Sequence, residues 1–137
     1  MDYTEICDKI WLYSKYYGDM VATAIRLKDE GESYASLLVL FNSIELIFRS
    51  DSHKFVDDVE WLYNKQLLSK DEYDFINSEN GIRLLRNKMN HKDFYEYCAE
   101  IDDIAYPFAD RETWRVLCER ILPNAVIIIN NVISRLQ

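Results

Sequence analysis

Gly81-Ile82-Arg83-Leu84-Leu85-Arg86-Asn87-Lys88-Met89-Asn90-His91-Lys92 is the stretch around which the rest of the chain is organised. It holds Arg83, Arg86, Lys88 and Lys92 and no acid, in a protein whose formal charge is -8. Read as a helix, Ile82, Leu85 and Met89 form an apolar stripe, and Arg86 falls inside that stripe rather than on the solvated side. An arginine in a core-facing row needs a buried carboxylate as partner, or a cleft or subunit interface where an anion can reach it. His91 follows five positions later, which on an unbroken helix turns the side chain away by about 140°. The two converge only if the helix ends near His91, or if they meet between two copies of the chain. Asp93 followed by Glu96 has the form of a capping box for a new helix, which puts the break at His91 and Lys92.

Working outward, composition sets the frame. At 137 residues the chain is long enough for one core and too short for two, so residues 1–137 are read as a single domain. Three glycines and two prolines punctuate a sequence rich in helix formers and aromatics. The expected fold is therefore all-α: a bundle of four to six helices with long antiparallel first and second helices. No signal peptide is evident, and the longest apolar run, Ala125–Ile129, is too short to span a bilayer. A soluble, cytoplasmic protein with no membrane partner is expected. Cys7, Cys98 and Cys118 lack CxxC spacing, so buried free thiols are expected, with no metal site and no cofactor. A pI near 4.7 excludes a general nucleic-acid coat, because non-specific affinity comes from clustered lysine and arginine. Any RNA contact must be local.

From Tyr3 to about Lys28, Tyr3, Ile6, Ile10, Tyr13, Tyr17, Met20, Ala24 and Leu27 recur three and four apart, predicting one long helix with a bend at Gly18. The next helix, Tyr34 to about Ser50, is apolar nearly all round, which places it centrally or under a second subunit. Its one carboxylate, Glu45, is expected to pair with Arg86, either as a structural ion pair or to orient the guanidinium for a substrate. Asp51-Ser52-His53 reads as a turn, with His53 an exposed neighbour of a helix start. A third helix follows from about Lys54 to Lys65, with Phe55, Val59 and Leu62 inward. Ser69 and Glu72 form a capping box before a short segment, Tyr73–Ile76. Phe94–Tyr106 is predicted helical, with Phe94, Tyr97, Cys98, Ile101 and Ile104 on one side and Glu96, Glu100, Asp102 and Asp103 on the other. The final helix starts at Glu112, and Pro123 should kink or restart it.

The block Arg86-Asn87-Lys88-Met89-Asn90-His91 resembles the R-x4-H motif of the HEPN family, in which a polar residue, often asparagine, follows the arginine. The layout beyond it, an acidic segment, Trp114, Ile121-Leu122-Pro123 and an aliphatic terminal helix, resembles the toxin branch that pairs with minimal nucleotidyltransferase antitoxins. That branch usually has a tyrosine two residues after the histidine; here the position is Asp93, and Tyr95 is out of register. The resemblance implies a small helical domain that acts as a metal-independent endoribonuclease of toxin or phage-defence type. It also implies a homodimer with two motifs facing a shared cleft, products ending in a 2′,3′-cyclic phosphate and a 5′-hydroxyl, and a possible cognate antitoxin.

Metal-free RNA cleavage needs a base for the 2′-hydroxyl, an acid for the leaving oxygen and positive charge at the phosphate. His91 can serve as base or acid, Arg86 can fork two hydrogen bonds onto the phosphate, and Asn87 can orient either. Arg83, Lys88, Asn90 and Lys92 are candidates for substrate binding, with Glu45 behind Arg86. Two other readings stand beside this one: a non-catalytic HEPN-like domain that binds a nucleotide or a partner protein, and an inert helical module.

Overall fold

The computed structural model describes residues 2–49 and 54–137, so the expected turn at Asp51-Ser52-His53, and the part given to His53, lie outside the described residues. Seven α-helices are seen among them: α1 (Thr4–Tyr13), α2 (Lys15–Asp29), α3 (Ser33–Ile47), α4 (Phe55–Asn64), α5 (Lys70–Asn77), α6 (Ile82–Met89) and α7 (Arg111–Leu136). Two strands, β1 (Cys98–Ile101) and β2 (Ile104–Pro107), pair antiparallel between α6 and α7. The protein is thus mostly helical, but not all-α.

Two expectations are corrected here. The first long helix is two helices, because Ser14 adopts an extended conformation and its hydroxyl accepts from the Tyr17 N–H at 3.3 Å, capping α2. Gly18 is not a bend; it lets α1 fold back on α2, since a Cβ there would lie 2.6 Å from the Trp11 Cα. The second correction concerns Phe94–Tyr106. Only a single 3-10 turn, Phe94–Glu96, forms there, and Asp93 makes no side-chain cap. The chain then turns at Asp102 and Asp103, whose φ angles of 53° and 64° allow the two-residue hairpin connection that fits strand twist.

The α2–α3 hairpin is antiparallel, as the Ser36 hydroxyl bonded to the Ala24 carbonyl and the Tyr17 hydroxyl reaching the Leu46 carbonyl show. Its connection turns on Gly31 at φ 84°, where the N–H groups of Gly31 and Glu32 close back on the Lys28 and Leu27 carbonyls. α3 packs on α2 and α7 and buries Leu37, Leu40, Phe41, Ile44 and Ile47. Its outer stripe, Leu38, Asn42 and Glu45, keeps contact with solvent. α7 runs unbroken through Pro123 and supplies Leu117, Ile121, Ala125, Ile129 and Val132 to the same core. By length and composition α7 is long and apolar enough to cross a membrane, contrary to the expectation drawn from Ala125–Ile129. More than half of that stretch is buried inside the fold, and a core helix passes the same test.

α5 starts at the expected capping box, with the Ser69 hydroxyl accepting from the Glu72 N–H and the Glu72 carboxylate accepting from the Ser69 N–H. The same carboxylate is paired with Arg135 and accepts from the Asn131 amide, which ties α5 to the end of α7. α6 packs on α5, and the Asn80 amide donates to the Glu100 carbonyl at 2.7 Å, fastening the entrance of α6 to β1.

Candidate functional site

α6 spans Ile82–Met89, so it stops just short of the break expected at His91 and Lys92. Ile82 and Leu85 are fully buried, Met89 is half-buried, and the Asn90 N–H closes the last turn on the Arg86 carbonyl. Residues two apart on a helix point about 200° away from one another, so Arg86 and Lys88 leave α6 on opposite sides. That divides the basic stretch in two.

On one side the Arg86 guanidinium is ion-paired with Glu45 of α3, the pairing that burial of an arginine among Ile82, Leu85 and Met89 demands. It also lies over the Phe55 ring of α4, 5.1 Å from the centroid, and donates to the Asn87 side-chain oxygen at 3.2 Å. Its Nε is buried without a hydrogen-bond partner. Arg83 is likewise engaged, donating to Asn77 of α5 at 2.7 Å.

On the other side Lys88, His91 and Lys92 line an open cleft of about 540 Å³. Its aromatic lining comes from the chain after α6: Phe94 in the 3-10 turn, Tyr97 just before β1, and Phe108 just after β2. Asp93 and Cys98 complete the lining. His91, Lys88 and Lys92 are exposed, which suits groups that meet a ligand from solvent. The aromatic wall is fixed from behind. Phe94 stacks on Tyr34 at 6.2 Å, Phe108 lies 5.5 Å from the Trp114 ring, and the Trp114 indole N–H donates to the Phe108 carbonyl at 2.7 Å.

Of the residues singled out in the sequence, the structure therefore gathers His91, Lys88 and Lys92 at one cleft. Arg86, Asn87, Arg83 and Asn90 do not line it, and Glu45 lies with Arg86 on the opposite side of α6. Sequence reasoning missed Tyr97, Cys98 and Phe108 as cleft residues: Tyr97 and Cys98 were given to one side of a helix expected over Phe94–Tyr106, and Phe108 lies beyond that range, next to a hairpin that was not foreseen. Cys98 is exposed rather than buried; Cys7 is half-buried and Cys118 buried, and burial pushes both of those thiols up from their ordinary value. Among the described residues, no group of three or more histidine, cysteine, aspartate or glutamate side chains is placed to hold a metal ion.

No protein-family model, no curated protein and no solved structure matches the chain.

Proposed function

We propose that the protein is a metal-independent endoribonuclease of the HEPN type that cuts RNA in the His91 cleft. The observation that carries the reading is an exposed imidazole, flanked by two lysines, lining one solvent-open cleft together with three aromatic rings. Lys88 and Lys92 meet the RNA phosphates, which in a chain of net charge -8 needs a local patch of this kind. His91 takes the proton of the 2′-hydroxyl as its oxygen attacks the adjacent phosphorus; the P–O5′ bond breaks, and the departing oxygen takes a proton. General acid–base help of this sort is worth about 100-fold to 10,000-fold. Among the described residues the cleft holds one imidazole, so the departing oxygen takes its proton from water, and a homodimer would bring a second copy of the motif alongside. It would also bring Arg86, which keeps 22% of its side-chain surface, toward a phosphate held by the neighbouring copy. A toxin or phage-defence setting, a cognate antitoxin and a cytoplasmic location belong to the same proposal.

The test is incubation of purified protein with RNA in EDTA. Cleavage leaving 2′,3′-cyclic phosphate ends, abolished by His91→Ala, is the expected result; full activity of that variant removes the proposal. A second reading has an observation of its own. Arg86 is held by Glu45 and Phe55 away from the cleft, as a structural residue would be. This favours a non-catalytic domain that binds a nucleotide or a partner protein, and it predicts ligand binding without any cleavage.

A further inference from the structure

Tyr97 is 64% exposed, yet its backbone is held at both ends: its N–H donates to the Phe94 carbonyl at 3.1 Å and its carbonyl accepts from the Phe108 N–H at 3.0 Å. The ring is thus carried on a fixed mount while much of its surface stays open. Phe94 and Phe108, the other two rings of the wall, are occupied with Tyr34 and Trp114 behind them. Lys88 and Lys92 line the same cleft, so an aromatic surface and two cations share one opening. The complement of that pair is a nucleotide, with a base to lie on the ring and a phosphate to meet the lysines.

We infer that Tyr97 is a stacking platform for a single unpaired base and makes the cleft select single-stranded over double-stranded RNA. This rests on the reading of the cleft as an RNA site and adds a specificity residue to it. In a duplex each base is stacked between its neighbours and offers no free face to a protein ring; in a single strand or loop it does. A cleft of about 540 Å³ is in the size range of pockets for small organic ligands, a scale that suits a splayed nucleotide. Every base has a π-face, so the platform tolerates sequence while discriminating against pairing. Charge explains why the occupant is RNA and not an apolar peptide. The lysines and His91 leave one acid, Asp93, among the cleft's lining residues.

The experiment uses the full chain carrying His91→Ala, so that binding is read without cutting. The probe is a short oligoribonucleotide containing 2-aminopurine, free or annealed to its complement. Fluorescence quenching on titration is expected for the single strand and not for the duplex. Adding Tyr97→Ala should weaken single-strand binding about 5-fold to 150-fold and abolish the quench, whereas Tyr97→Phe should keep both. Tyr97→Leu separates stacking from simple apolar contact and should behave like Tyr97→Ala. Equal affinity for duplex and single strand, or unchanged binding by Tyr97→Ala, overturns the inference. Cleavage by the unmodified protein, followed separately, keeps the two proposals apart. RNA cut with no dependence on Tyr97 sinks the platform alone, and Tyr97-dependent binding without cleavage sinks the ribonuclease alone.

Discussion

Glu45→Gln removes the charge opposite Arg86 while keeping a side chain of almost the same shape. An exposed ion pair is worth about 0 to 1 kcal/mol, and deleting one member of a fully buried pair costs about 3 to 5 kcal/mol. The pair here lies between these limits, with 22% of the Arg86 side chain and 38% of the Glu45 side chain exposed. Glu45 in particular is wet enough to weaken the Coulombic part, so a cost of about 1 to 2 kcal/mol is expected. The unpartnered Nε sharpens the effect, since without Glu45 the guanidinium has Asn87 and the Phe55 ring as its remaining partners among those described. For a chain of this size each kcal/mol shifts the midpoint by about 3 to 5 °C, so Glu45→Gln should melt about 3 to 10 °C lower. The assay is a double-mutant cycle by calorimetry or urea melts with Glu45→Gln, Arg86→Gln and the double variant. A coupling energy of about 1 kcal/mol is expected. Coupling below about 0.3 kcal/mol, with both single variants neutral, refutes the argument that Arg86 is stabilised where it lies by Glu45.

Two further expectations concern the scaffold that carries the cleft. Burial alone would raise the Glu72 carboxyl, but hydrogen bonds from Arg135, the Ser69 N–H and Asn131 outweigh it and hold the group below its ordinary value of 4.5. A depressed carboxylate contributes stability that is complete above the unfolded value and lost as acid protonates it, so the melting advantage of the unmodified protein over Glu72→Gln should be present at pH 7 and disappear as pH falls below about 4.5. An advantage independent of pH would show that the carboxylate's charge contributes nothing. At Gly18 a new Cβ would stand 2.6 Å from the Trp11 Cα and Cβ, so Gly18→Ala should cost about 1 to 3 kcal/mol despite the better helix propensity of alanine, measured by urea unfolding.

The parts of the fold that were legible in the sequence are those with local or pairwise signals. The capping box at Ser69 and Glu72 and the partner of Arg86 each follow from the chemistry of a few residues. The hairpin did not, because Phe94, Cys98, Ile101 and Ile104 satisfy a three-to-four spacing as readily as a strand pattern, and short segments give periodicity little to work with. A signal was present: Asp102-Asp103 lies between two isoleucines, with Ala99 and Ile101 alternating inward ahead of it and Pro107 behind. Aspartate tolerates the left-handed conformation that such a turn requires. Missing the hairpin meant missing the aromatic lining of the cleft, so the basic half of the site was legible and the aromatic half was not. The break at Ser14 was hidden in the same way, by an apolar seam that runs on across it.

The division of α6 into two faces bears on how any phosphodiester could be cut. Arg86 points toward α3 and α4, whereas Lys88, and after the helix ends His91 and Lys92, face the hairpin, so within one chain the guanidinium and the imidazole do not line a common cleft. Charge stabilisation at a phosphate in the cleft of a single subunit therefore falls to the lysines, which bind as point charges rather than by a bidentate fork. On the proposed reading, Arg86 would act on RNA either from a neighbouring copy or indirectly, by fixing the last turn of α6 through Glu45 and Phe55. The two routes give different mutant signatures. A guanidinium that reaches substrate across an interface is poorly replaced by lysine, and mixing Arg86→Lys with His91→Ala protein should restore activity by assembling one complete site. A guanidinium that only props the helix is replaced by lysine with a loss of stability and little loss of cleavage, and mixing the two variants then gives no gain. Complementation between two separately inactive variants would establish that the site is shared between subunits; its absence, with Arg86→Lys active, would place the whole reaction in one chain.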